Sequence, residues 1–206
     1  MGGHVFIVGN ADVDVDHGPE IDAADVVVRF NRCRNLGRNT GRRTTELWLT
    51  NTGRAGLEFV DQARTAKLLE RVGARRVLMP RPAPGPLRRR LMVLLSRTSE
   101  LEHGAGIARA VRLAGLSCDY AASDLPRETM RALRAYGIAT PRPKAPSTGI
   151  LAVHHFATAP AYRDHRISLV GFRFEGWRWH PWRLERAYVD DLESQGRLVL
   201  RDRLPA

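Results

Sequence analysis

The chain has 206 residues, 43% hydrophobic and 27% charged, an ordinary composition for one globular domain long enough to bury a full core. Its formal net charge of +11 is carried almost wholly by arginine, since Lys67 and Lys144 are the only lysines, and that field favours anions without choosing among a nucleotide, an acidic lipid surface and nucleic acid. No apolar run approaches the roughly 20 residues of a membrane span. No leader or anchor is therefore expected, and the expected location is the cytoplasm, with peripheral contact at the inner membrane as an elaboration.

In chain order, the apolar run His4 to Val8 predicts a buried strand closed by Gly9-Asn10. Val26 to Phe30 and Glu46 to Thr50 predict two more strands. Leu57, Val60, Ala63, Leu68 and Leu69 are spaced as one helix over Ala55 to Val72, stopped by Gly73. Arg76 to Met79 reads as a strand ended by the turn-rich Pro80 to Pro86. Helices are predicted over Leu87 to Glu102, Ile107 to Leu113, Arg127 to Tyr136 and Thr148 to Ala157. Ile167 to Phe172 then reads as a strand, Trp182 to Gln195 as a helix and Leu198 to Leu200 as a last strand. Short apolar strands alternating with helices imply an α/β fold with a parallel sheet covered on both faces, and residues 1–206 are expected to form a single domain.

Several positions carry chemistry. Gly9-Asn10 lies at the carboxyl end of the first strand, where parallel sheets bind ligands and glycine lets a backbone approach closely; the plain alternative is a turn. Ser147-Thr148-Gly149 opens a helix, offering two hydroxyls and free amides either to an anion or to the helix itself as a cap. His180 is followed five residues on by Glu185, and imidazole titrates near neutrality, as a general base must. Asp12, Asp14 and Asp16 alternate as metal ligands can, but an exposed acidic loop is the preferred reading and no metal is expected. The pair His154-His155 falls in a buried helix and reads as structural. Leu87 to Leu95 contains Arg88-Arg89-Arg90 among leucines, either a packed helix with a solvated face or a segment lying on an anionic membrane.

The segments Val5-Phe6-Ile7-Val8-Gly9-Asn10, His17-Gly18-Pro19-Glu20-Ile21-Asp22 and Val28-Arg29-Phe30-Asn31 are followed about a hundred residues on by Pro146-Ser147-Thr148-Gly149-Ile150-Leu151, Val170-Gly171-Phe172 and His180…Glu185. Together they resemble the large, small and very small sialylmotifs of glycosyltransferase family 29, the animal sialyltransferases with their plant and bacterial relatives; this chain would be a short, bacterial-type member. The resemblance implies a Rossmann-like sheet of the variant GT-A-like kind. It implies an inverting, metal-independent glycosyltransferase moving a sialic-acid-like or Kdo sugar from a CMP donor to a glycan or glycolipid hydroxyl, with no cofactor beyond the CMP-sugar. By the same resemblance Gly9, Asn10, Asn31, Ser147, Thr148 and Gly149 would hold the donor. His180 would be the catalytic base, and Glu185 would orient its ring or stabilise the helix start.

The chain departs from that pattern in places. Ala11 stands where serine is usual, Lys144-Ala145 replaces an aromatic or histidine, and the family's disulfide positions lack cysteine. Cys33 and Cys118 lie elsewhere and are expected to be reduced thiols. No second histidine serves a third motif, leaving Arg178 as the candidate for the departing phosphate. An inactive, CMP-binding homologue is the alternative. A basic nucleic-acid-binding module rests on charge alone, and no nucleic-acid partner is expected.

Overall fold

The computed structural model describes residues 2–83, 85, 102–137 and 145–202. Seven strands form one sheet: β1 (His4–Val8), β2 (Val26–Phe30), β3 (Glu46–Trp48), β4 (Arg76–Met79), β5 (Ser117–Tyr120), β6 (Arg166–Val170) and β7 (Val199–Leu200). Their order is β5-β4-β3-β2-β1-β6-β7, and every pairing is parallel. The α/β, Rossmann-like expectation therefore holds. The chain winds outward from β1 to β5, then returns to lay β6 and β7 on the other side of β1, which puts the topological switch point between β1 and β6.

Alternate side chains of each strand enter opposite layers. On one face Val5, Ile7, Val28, Phe30 and Trp48 pack against α5 (Leu125–Arg134), α6 (Thr148–Thr158) and α7 (Trp182–Ser194). On the other, Leu47, Leu49, Val77 and Met79 meet α3 (Gln62–Val72) and α4 (Gly104–Leu113), while Phe6, Val8 and Val27 meet α1 (Gly18–Ala23). Helix α6 is apolar nearly all round, with Ile150, Leu151, Ala152, Val153 and Phe156 buried, as a helix enclosed by protein should be. Buried His154 hydrogen-bonds the Tyr188 hydroxyl at 2.7 Å and half-buried His155 packs against Trp48, so both contribute to packing.

The long helix expected over Ala55 to Val72 is three pieces: α2 (Gly53–Leu57), a 3-10 turn (Glu58–Val60) and α3. Asp61 breaks it, because its extended backbone lets Oδ1 accept the Arg64 N–H at 3.0 Å as an N-cap. β5 gave no apolar run because it is an edge strand with exposed Ser117, Asp119 and Tyr120. Apart from Glu102, the helix expected over Leu87 to Glu102, with its basic segment Leu87 to Leu95, lies outside the described residues. Cys33 and Cys118 are free thiols, and burial pushes the Cys33 thiol up to about 11. No described helix is long and apolar enough to cross a membrane.

One buried charge shapes the chain near the switch point. Arg29 on β2 is only 1% exposed. Its Nε donates to the Arg43 carbonyl at 3.1 Å, Nη1 to the Thr40 hydroxyl at 3.2 Å and Nη2 to the Thr40 and Gly41 carbonyls. A guanidinium satisfied by carbonyls thus fixes the loop that follows β2.

Candidate functional site

Gly9-Asn10 after β1, Asn31 after β2 and Gly171-Phe172 after β6 all sit at the carboxyl edge beside the switch point. The amino end of α6 comes to the same place: a Cβ on Gly149 would lie 2.9 Å from the Phe172 ring, and one on Gly9 would lie 3.2 Å from it. The two distant sequence segments therefore converge.

Much of their polar capacity is already used within the protein. Gly9 is required by backbone proximity, since a Cβ there would come within 2.1 Å of the Gly171 carbonyl. Asn10 Nδ2 donates to the Phe30 carbonyl at 3.2 Å and its Oδ1 accepts the Arg34 N–H at 3.0 Å, which ties the ends of β1 and β2 together. Asn31 has a left-handed backbone (φ +52°), and its Oδ1 accepts the Thr50 N–H at 2.8 Å; its Nδ2 has no hydrogen-bond partner among the described residues.

Ser147 caps α6, its hydroxyl accepting the Ile150 N–H at 3.2 Å. The same residue is gripped by Glu185: the Ser147 N–H donates to Oε1 at 2.8 Å and its hydroxyl to Oε2 at 2.7 Å. Glu185 is 1% exposed. Burial pushes its carboxyl up to about 7, outweighing the two Ser147 hydrogen bonds, which favour the charged form. The expectation placed Glu185 on the His180 ring or at the start of its own helix; the structure has it in the first turn of α7, with its carboxyl joined to the cap of α6 rather than to the ring. The Thr148 hydroxyl has no hydrogen-bond partner among the described residues, and Thr148 and Gly149 lie in the first turn of α6, where backbone amides lack intrahelical partners.

His180 stands just before α7. Its Nδ1 must donate to the Ala145 carbonyl, 2.7 Å away, so the neutral ring keeps its lone pair on Nε2. Burial, chiefly, lowers its pKa, and the nearby Arg81 charge acts in the same direction. The ring is flanked edgewise by Trp177 at 4.8 Å and Trp182 at 4.9 Å between centroids. Arg178 lies over Trp179 with 5.0 Å to the ring centroid.

Arg81, which the sequence reading passed over, is a partly buried cation at this edge. Its Nη2 donates to the Pro146 carbonyl at 3.1 Å, and burial depresses its pKa, with no carboxylate partner among the described residues. Buried Asn51 positions it, Nδ2 to the Arg81 carbonyl at 2.7 Å and Oδ1 to the Arg81 N–H at 3.3 Å. The available signal was its place immediately after a parallel strand, between Pro80 and Pro82. Asn35 was likewise missed; buried, it donates to the Gly9 and Ala11 carbonyls at 2.9 and 3.0 Å.

A hollow of about 370 Å³ beside this edge is lined by Asp12, Val13, Asn35, Arg38, Asn39 and Thr40. Asp12 pairs there with Arg38 at 3.2 Å. Among the described residues no three His, Cys, Asp or Glu side chains are placed to hold a metal ion.

Comparison with known proteins separates the scaffold from the role. No protein-family model matches the chain. It is 32% identical over 200 residues to the urease operon 23 kDa accessory protein of Rhizobium meliloti (strain 1021), a match spanning 94% of this chain and 90% of that one. Among solved structures it resembles a mammalian sialyltransferase, with TM-score 0.57 and 15% identity over 98% of this chain and 69% of that one. It also resembles the sialyltransferase CstII from Campylobacter jejuni, with TM-score 0.53 and 14% identity over 97% and 78%. The sialyltransferase-like fold is thus established. The nearly full-length match overturns the reading of the chain as a CMP-sugar-dependent glycosyltransferase, with its CMP-sugar, glycan or glycolipid acceptor and anionic membrane as partners. At 12–15% identity the sialyltransferases share a scaffold with this chain, and that likeness does not extend to their chemistry.

Proposed function

The chain belongs to the family of the urease operon 23 kDa accessory protein, and from that premise we propose that it is an accessory protein of a urease system, working through binding at the carboxyl edge of its sheet. The observation that carries the reading is the collinear 32% identity over 200 residues. In this reading the residues shared with glycosyltransferase family 29 mark descent from that scaffold, and the chain acts as one domain, 1–206, in the cytoplasm.

Gly9, Asn31, Thr148, Gly149 and His180, with Arg81, form the proposed binding edge, while Asn10, Ser147 and Glu185 hold it in shape. Its ligand is proposed to be a small oxyanion. A half-buried guanidinium without a carboxylate is destabilised by desolvation, and an anion beside the free amides of α6 relieves it. Inorganic phosphate is expected to raise the thermal midpoint of the parent protein, and Arg81→Gln to remove at least about tenfold of the affinity, the worth of one charge-assisted hydrogen bond. Equal shifts in parent and variant would place the anion elsewhere. The accessory role itself is tested in cells: deleting the gene for this chain should lower urease activity, and a plasmid copy should restore it.

A further inference from the structure

We propose that the loop between β6 and α7, centred on Trp177, is a docking surface for an acidic segment of a partner protein in the urease system. The proposal rests on the accessory reading and names the face through which it would act.

Trp177 is 56% exposed, a large apolar ring left in solvent. Its position is nevertheless fixed. The Trp177 carbonyl accepts the His180 N–H at 3.0 Å and the Trp182 Nε1–H at 3.1 Å, and the His180 ring packs edgewise against the indole. An exposed aromatic held in place has little freedom left to lose on association.

The surrounding charge is positive. Arg178 and Arg183 are exposed and form no ion pair among the described residues. Arg173, also exposed, donates to the Asp12 carbonyl at 3.3 Å. Glu175 is the one exposed carboxylate between residues 173 and 183. Arg183 lies in the first turn of α7, where a cation opposes the helix dipole, so the stability of that helix does not explain it. Arginine and tryptophan are the residues that dominate binding energy at protein interfaces, and a net charge of +11 steers acidic partners toward the molecule.

The test uses the full chain and a fluorescent synthetic peptide alternating glutamate with leucine, set against a lysine–leucine counterpart and a single-stranded DNA oligonucleotide. The glutamate peptide should bind, more weakly as salt rises, and the lysine peptide should not. Trp177→Ala, and separately Arg178→Gln with Arg183→Gln, should each weaken the glutamate peptide by about thirtyfold, the loss set by a moderate hot spot, with unchanged thermal midpoints. Unaltered affinity in both variants, or tighter binding of DNA than of the glutamate peptide, would overturn the proposal. In cells lacking the gene, the parent chain should restore urease activity and Trp177→Ala should not. If both restore it, the docking surface is wrong and the accessory reading stands; if the parent fails, the accessory reading falls and the urease partner with it.

Discussion

Raising the pH from about 4.5 to about 8 is expected to cost this protein about 3 kcal/mol of folding stability through Glu185. In the folded protein the carboxyl keeps its proton up to about 7, against 4.5 for an unperturbed glutamate, and each unit is worth about 1.4 kcal/mol. Because the folded value is the higher one, this stability is complete below the unfolded pKa and is lost as pH rises through the folded one. Glu185→Gln should remove that component of the slope. Asp202 titrates in the same direction, its carboxyl raised by burial, so some slope remains in the variant. At about 2–4 °C per kcal/mol, the gap between parent and variant midpoints should change by roughly 6–12 °C across this range. Parallel curves would mean that Glu185 is ionised in the folded state.

Arg29→Met is expected to destabilise the fold by about 4 kcal/mol. Methionine fills much of the same volume, yet leaves the carbonyls of Thr40, Gly41 and Arg43 without the guanidinium that satisfies them. Each buried acceptor left unpaired costs about 1–3 kcal/mol. Urea unfolding should show a lower midpoint with little change in slope. A loss below about 1 kcal/mol would mean that the loop finds water without difficulty, and that Arg29 contributes only bulk.

The strands near the switch point were readable because their side chains, Arg29 apart, are apolar on both faces: Val5 to Val8 and Val26 to Phe30 lie within one element each, as expected. β5 was not, because an edge strand with solvent on its sides needs no hydrophobic run. The break at Asp61 was hidden because Leu57, Val60, Leu68 and Leu69 keep helical spacing across it, while a single carboxylate cap decides where α3 begins.

The site was legible as a place and misread as a chemistry. The resemblance rests largely on joints of the scaffold. Gly9 is needed because the Gly171 carbonyl lies against it, Asn10 ties β1 to β2, and Ser147 is held by Glu185. A fold keeps such residues whatever ligand it binds, so their presence foretold the architecture and the convergence of the two segments but not the role. Arg81 escaped notice because a lone arginine in an arginine-rich chain carries no pattern; its burial without a carboxylate, beside the amino end of α6, is visible only in the fold.

The most direct measurement of the accessory role is the specific activity of urease, per amount of urease polypeptide, in extracts of cells with the gene intact, deleted and restored. The expected result is normal urease polypeptide with lowered activity on deletion, recovered by the parent chain. Unchanged specific activity on deletion would contradict the account.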